Sequence, residues 1–125
     1  MEWRLNGATR VVLLTKNWAF KFPGSWQYHP RIWWKHLLLG LLANMQEKQF
    51  SDCVEFKDKL CPVKYYIPGG FLVVMPRVRI MTVEEYLEFD THKFINEDEY
   101  VLPVEDKFDT FGYLDGRVVA VDYGS

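Results

Sequence analysis

Between residues 10 and 22 the apolar positions fall in two short runs separated by three polar ones. Arg10-Val11-Val12-Leu13-Leu14 is rich in β-branched side chains, and Trp18-Ala19-Phe20-Lys21-Phe22 alternates until Pro23-Gly24 closes it. Such runs, bounded by turn residues, predict strands. The Thr15-Lys16-Asn17 connection makes them the arms of one antiparallel hairpin, and Asn6-Gly7 marks a turn just before the first arm.

The period then changes. Over residues 30–50, Trp34, Leu38, Leu41, Leu42 and Met45 recur at helical spacing and form one stripe, and Pro30 suits the first helical position. A second face carries Trp33, Gly40, Ala43 and Glu47. Small residues on that face let a strand or another helix approach closely. A helix that is apolar or small on two sides is either buried between layers or offers a surface to a partner. Trp33, Trp34, Leu38 and Leu41 are the candidate partner residues.

Residues 61–67 and 70–75 read as two further strands joined by the tight turn Pro68-Gly69-Gly70. Pro76 ends the second, and Arg77-Val78-Arg79 continues extended. Thr82-Val83-Glu84-Glu85 has the form of a capping box and predicts a short helix to about residue 89. Residues 90–109, with Glu97-Asp98-Glu99 and Pro103, read as mostly loop with one helical turn. Phe111-Gly112-Tyr113-Leu114 and Arg117-Val118-Val119-Ala120-Val121 flank Asp115-Gly116, a dipeptide favoured in type I′ hairpins. The expected class is α+β: an antiparallel sheet of about five strands, one long helix packed on it, and a C-terminal hairpin. A single domain is expected over 1–125, with the sheet and long helix in 1–80 and the short helix, loop and hairpin in 81–125.

Composition supports a packed core. The chain has 125 residues, enough for one domain, and 49% of them are hydrophobic. Aromatics reach 17%, more than burial alone requires, so some rings are expected on a binding surface. The net charge of −2 has none of the electrostatic footprint of a nucleic-acid binder, and the basic positions from Lys16 through Arg31 to Lys35 are dilute enough to read as a solvated rim. Cys53 and Cys61 belong to no metal-ligand spacing and read as free thiols of a cytoplasmic protein, a single disulfide in a secreted domain being the alternative. The longest apolar run, 37–43, is far too short for a membrane span, and Met1-Glu2-Trp3-Arg4 does not open a signal peptide. A protein partner or a homodimer is expected, with no nucleic acid and no membrane.

Histidines 29, 36 and 92 are scattered, and none pairs locally with Cys or Ser as a nucleophile arrangement would require. The acidic residues from Glu97 onward lack an EF-hand pattern and read as a solvated edge; metal-dependent hydrolysis through Asp106, Asp109 and Asp122 is the alternative.

Four segments, taken in order, resemble one family. Ala19-Phe20-Lys21 is similar to the Val-Ala-Ile-Lys strand of the protein-kinase-like fold, and Ala43-Asn44-Met45-Gln46-Glu47 to the helix whose glutamate pairs with that lysine. Val73-Val74-Met75-Pro76-Arg77 resembles the strand leading into the hinge, and Val119-Ala120-Val121-Asp122-Tyr123-Gly124 the Asp-Phe-Gly segment. The resemblance implies a kinase-like small lobe followed by a shortened remnant of the large lobe. It implies that Lys21 holds nucleotide phosphates, that Glu47 fixes Lys21, that backbone near Met75 meets adenine, and that Asp122 binds Mg²⁺ beside ATP or ADP.

The departures point away from catalysis. Only Gly7 stands where the family has a glycine-rich loop. Val104-Glu105-Asp106-Lys107-Phe108-Asp109-Thr110 contains no His-Arg-Asp; Asp109 at best matches the second metal-binding position, and Glu105 and Asp106 are off the spacing of the base. No activation segment follows Asp122. The implied function is a pseudokinase-like, non-catalytic domain that binds a nucleotide or a protein partner, similar to compact kinase-like fragments of bacteria and phages. The alternative is a pure interaction or dimerisation module of such origin, without a small ligand.

Overall fold

The computed structural model of the chain describes residues 1–4, 9–24, 33–56, 58–97, 101–104 and 106–123, with Trp33 and Val54 described by their backbone alone. Asn6-Gly7, His29, Pro30, Arg31, Asp98, Glu99, Glu105 and Gly124, singled out above, lie outside these residues.

The alternating runs form strands as their patterns predict. Strands β1 (Glu2–Arg4), β2 (Arg10–Leu14), β3 (Trp18–Pro23), β4 (Tyr65–Ile67) and β5 (Leu72–Pro76) make an antiparallel sheet in the order β1-β2-β3-β5-β4. A second antiparallel sheet has the order β6 (Arg79–Ile80), β7 (Phe111–Leu114), β8 (Arg117–Ala120). Helix α1 (Trp33–Ser51) lies mainly against β3; α2 (Val83–Glu88) and α3 (Thr91–Asn96) are short. The fold is α+β, with a five-stranded antiparallel sheet, one long helix on it, and the C-terminal hairpin β7–β8. Among the described residues no helix is long and apolar enough to cross a membrane.

Three details differ from the sequence expectation. Strand β1 has three residues, all exposed, too few to show a period. Strand β4 starts at Tyr65 rather than Cys61. Pro62 has no N–H for a ladder, and the chain just before it is held elsewhere: Leu60 bridges Ala120, and the Cys61 N–H donates to the Ala120 carbonyl at 2.8 Å. Residues 90–109, expected to be mostly loop, contain α3 and a 3-10 turn at Phe108–Thr110. Asp90 caps α3 by accepting the Lys93 N–H at 3.0 Å, while Ile95 is buried and Phe94 meets Phe89 and Phe111 edge-on. At α2 the expected capping box is present, with Thr82 and Glu85 exchanging both hydrogen bonds. Hydrogen bonds from Arg79 and from the Thr82 backbone hold the Glu85 carboxyl down to about 2.

Helix α1 turns its small and polar face inward. Gly40, Ala43, Asn44 and Glu47 are buried, whereas Trp34, Leu38 and Leu42, on the apolar stripe, are 53%, 55% and 47% exposed. Gly40 sets how close the helix comes. A Cβ there would run into the Thr9 carbonyl and lie 2.8 Å from the Pro23 Cα, both backbone atoms of the β2–β3 region. In the C-terminal hairpin, Asp115 (φ 53°) and Gly116 (φ 80°) both adopt the left-handed conformation that a type I′ turn demands.

One apolar core joins the two sheets. Leu14, Ala19, Val73 and Met75 from the first pack with Phe111, Val119 and Ala120 from the second, around Leu60, Cys61, Met81 and Tyr123. The Tyr123 hydroxyl is buried but satisfied, donating to the Cys61 carbonyl at 2.6 Å. Burial raises the Tyr123 phenol above its ordinary value and pushes the Cys61 thiol up to about 11; both cysteines are free.

Gly40→Ala is expected to lower stability by about 1–3 kcal/mol, because the added methyl meets backbone that has no room to yield. Urea denaturation followed by tryptophan fluorescence measures it. A midpoint equal to that of the unaltered chain would show that this contact does not set the helix–sheet distance.

Candidate functional site

The alternation of β3 places Ala19 and Lys21 on the face where Trp18, Phe20 and Phe22 are not, and both are buried. Lys21 is only 7% exposed. An ammonium so placed needs an acceptor, and α1 supplies it: Glu47, one turn beyond Ala43 on the inward face, has no exposed surface. Lys21 Nζ donates to Glu47 Oε1 at 2.6 Å and to the Val121 carbonyl at 2.6 Å.

A second cation reaches the same carboxylate. Arg10 lies on β2 in step with Val12 and Leu14, and Val12 pairs with Lys21, so the strand register carries Arg10 to the same side. Its Nη1 donates to Glu47 Oε2 and, at 3.3 Å, to Asn44 Oδ1; its Nη2 donates to Asp122 Oδ1 at 2.7 Å. Asn44 also donates to the backbone carbonyls of Lys21 and Gly70. Burial alone would lower the Arg10 pKa, but Glu47 and Asp122 outweigh it and hold the value above the ordinary one. The two cations and two carboxylates make one chain of contacts that runs from Glu47, fully buried, to Asp122, whose side chain is 54% exposed.

This network borders an open cleft of about 1240 Å³ lined from both sheets. Among the described residues its walls carry Arg4, Arg10, Lys16, Lys21, Arg77, Arg79 and Lys107 against Asp109 and Asp122. Among the described residues, seven basic and two acidic side chains therefore line one space, in a molecule of net charge −2. Such a concentration attracts anions, most strongly those with several charges.

The structure brings Lys21, Glu47 and Asp122 together at this cleft, and Met75 and Asp109 also line it or its wall. Phe71 is 56% exposed and Phe111 lies fully buried in the core; neither lines the cleft. Backbone near Met75 has few free groups for a base edge. Met75 pairs with Ala19 in the ladder, Pro76 has no N–H, and the Arg77 N–H donates to the Asn17 carbonyl at 2.9 Å. The predicted partner residues lie on α1, away from this network: Trp34 and Leu38 are exposed, Leu41 is half-buried, and the Trp33 side chain lies outside the described residues.

Arg10 was not singled out from the sequence, nor was the basic lining. The signal for Arg10 was present: it is the charged residue at an inward position of an otherwise apolar strand. The lining could not be read, because its members come from β1, β2, the turn after β2, β3 and the segments around residues 77 and 107.

A magnesium ion would have to be held from Asp122. Among the described residues no group of three or more His, Cys, Asp or Glu side chains is placed to hold a metal. Asp122 by itself, with one oxygen bonded to a guanidinium, does not fit a divalent ion. Comparison with protein-family models, with curated proteins and with solved structures found no match.

Glu47→Gln removes the charge that two buried cations share, and is expected to cost about 3–5 kcal/mol. The double variant Lys21→Met/Glu47→Gln should lose less than the sum of the single ones, by about 1–3 kcal/mol. Denaturant titrations of the four proteins measure that coupling. Strict additivity would mean that the pair contributes nothing specific.

Proposed function

We propose that the chain is a non-catalytic, kinase-like domain that binds a phosphate-bearing ligand of the nucleotide class in the basic cleft. The observation that carries the reading is Lys21: a lysine on a central strand, fixed by a buried glutamate, at the wall of an open cleft rich in cations. A phosphate needs a cation held in one place, and a lysine needs a carboxylate partner to hold its extended form. The order Lys21, Glu47, Met75, Asp122 along the chain, already noted for its likeness to the kinase small lobe, adds weight. Support is stronger for the phosphate end of the ligand than for its base, since the backbone around Met75 is largely engaged.

The same residues argue for binding rather than turnover. Phosphoryl transfer requires a positioned nucleophile and a base beside it. No His-Arg-Asp precedes Asp122, and Asp106 accepts a hydrogen bond from the Tyr86 hydroxyl at 2.8 Å. Without a His-Arg-Asp base the cleft is better suited to a sensor or a scaffold.

A ligand present at about 100 times its Kd should stabilise the chain by about 2.7 kcal/mol. A thermal melt with millimolar ADP or ATP should therefore rise by several degrees, and Lys21→Met should lose the rise while circular dichroism shows it folded. If ADP, ATP and inorganic triphosphate all leave the melt unmoved, the cleft is not a nucleotide site.

A second reading follows from α1. Trp34, Leu38 and Leu42 stand four residues apart and exposed, with Leu39 beside them, forming an apolar stripe on the outer face of the helix. A protein partner or a second copy of the chain would cover it. Light scattering should then show a concentration-dependent dimer that Leu38→Glu dissociates; a monomer at every concentration would count against the homodimer.

A further inference from the structure

Arg10 stands where a metal ion would have to act. In a site that holds phosphates through a divalent cation, the carboxylate turned toward the ligand keeps its oxygens for the metal, which then bridges to phosphate oxygens. Here Asp122 Oδ1 accepts from Arg10 Nη2 at 2.7 Å. The guanidinium is not a surface group resting there by chance. Its side chain is 10% exposed, and its other terminal nitrogen is bonded to Glu47 and Asn44. Swinging it aside for a metal would leave the fully buried Glu47 with one cation fewer and strand a guanidinium that does not lose its proton.

The charge that a metal would bring is already present. A guanidinium carries five N–H groups in a planar fork, which matches phosphate oxygens in pairs. Among the described residues, the bonds to Glu47, Asn44 and Asp122 leave Arg10 N–H groups to spare on Nε and Nη2. Lys21 lines the same cleft, and Lys16, Arg77 and Lys107 lie further along it. A magnesium ion entering beside Arg10 would meet a fixed positive charge and one shared carboxylate; a polyphosphate would meet several cations at once.

We propose that the cleft takes its anionic ligand without a divalent metal, with Arg10 as the resident counter-cation and Asp122 as the residue that aims it. The inference rests on the phosphate-ligand reading above and narrows it to a metal-independent polyphosphate group. Asp122 accordingly opposes ligand charge rather than anchoring it.

Isothermal titration of the full chain with ADP and with inorganic triphosphate, each in excess EDTA and in excess Mg²⁺, tests this. Binding is expected in EDTA, at least as tight as in Mg²⁺, where the metal competes for the phosphate oxygens. Tighter binding of ADP than of triphosphate assigns part of the affinity to the base; equal binding assigns it to the phosphates, and either fits. Arg10→Ala should weaken binding in EDTA by about tenfold or more. Asp122→Asn keeps an oxygen to accept from Arg10 Nη2 and removes the charge that opposes the ligand, so it should bind in EDTA more tightly, by up to about tenfold. Binding that appears only with Mg²⁺, or that Asp122→Asn abolishes, overturns the inference and leaves the nucleotide reading standing. Absence of heat with both anions in both conditions overturns that reading and the inference with it.

Discussion

A carboxylate with no exposed surface must have its charge answered from within the fold, and Glu47 imposes that demand here. The answer comes from two strands at once. Lys21 on β3 and Arg10 on β2 both donate to it, and their remaining donors reach Val121 and Asp122 near the other end of the chain. Satisfying one buried group thus ties together β2, β3, α1 and the segment after β8. Such a network stabilises only when complete, because each unpaired member carries its full desolvation cost. It also fixes geometry: α1 must approach closely enough for Glu47 to reach Lys21, and Gly40, against the backbone at Thr9 and Pro23, permits that approach.

This demand explains which side of α1 faces inward. By apolar content alone, the stripe of Trp34, Leu38 and Leu42 would be the side to bury, but the buried one holds Gly40, Ala43, Asn44 and Glu47. Close packing needs small side chains, and the two buried cations need the carboxylate. The outer leucines then remain uncovered, although exposing them sacrifices the burial free energy that apolar side chains usually contribute.

Legibility in the sequence followed the range of each interaction. The β2–β3 and β7–β8 hairpins, the capping box at Thr82 and the body of α1 depend on neighbours a few residues apart, and their patterns were plain. Strand β1 was missed, and helix α3 was read only as one helical turn without a position, because three and six residues are too few to establish a period. The early end of the 61–67 strand was hidden because it depends on Ala120, far along the chain. In the site, Lys21, Glu47 and Asp122 were noticed through their order, while Arg10 was not. Its partners are 34, 37 and 112 residues away, and only the register of β2 on β3 brings it to them.

The separation of charge bears on whether Lys21 and Glu47 are merely a structural pair. A pair that served the fold alone would be complete in itself, and the surface near it would show the chain's ordinary mixture of signs. Instead the cleft beside it gathers cations from β1, β2, the turn after β2, β3 and the segments around residues 77 and 107, with Asp109 and Asp122 as the acidic lining among the described residues. Like charges facing one space repel, and the repulsion is stronger where protein walls exclude water. Carboxylates behind the wall offset part of this: Glu47 and Asp122 at Arg10, Glu47 at Lys21, Glu85 at Arg79 and Glu2 at Arg77. Net charge cannot be the cause, since the molecule as a whole is slightly acidic. On the reading proposed above, an anion with several charges would relieve the repulsion that those carboxylates leave.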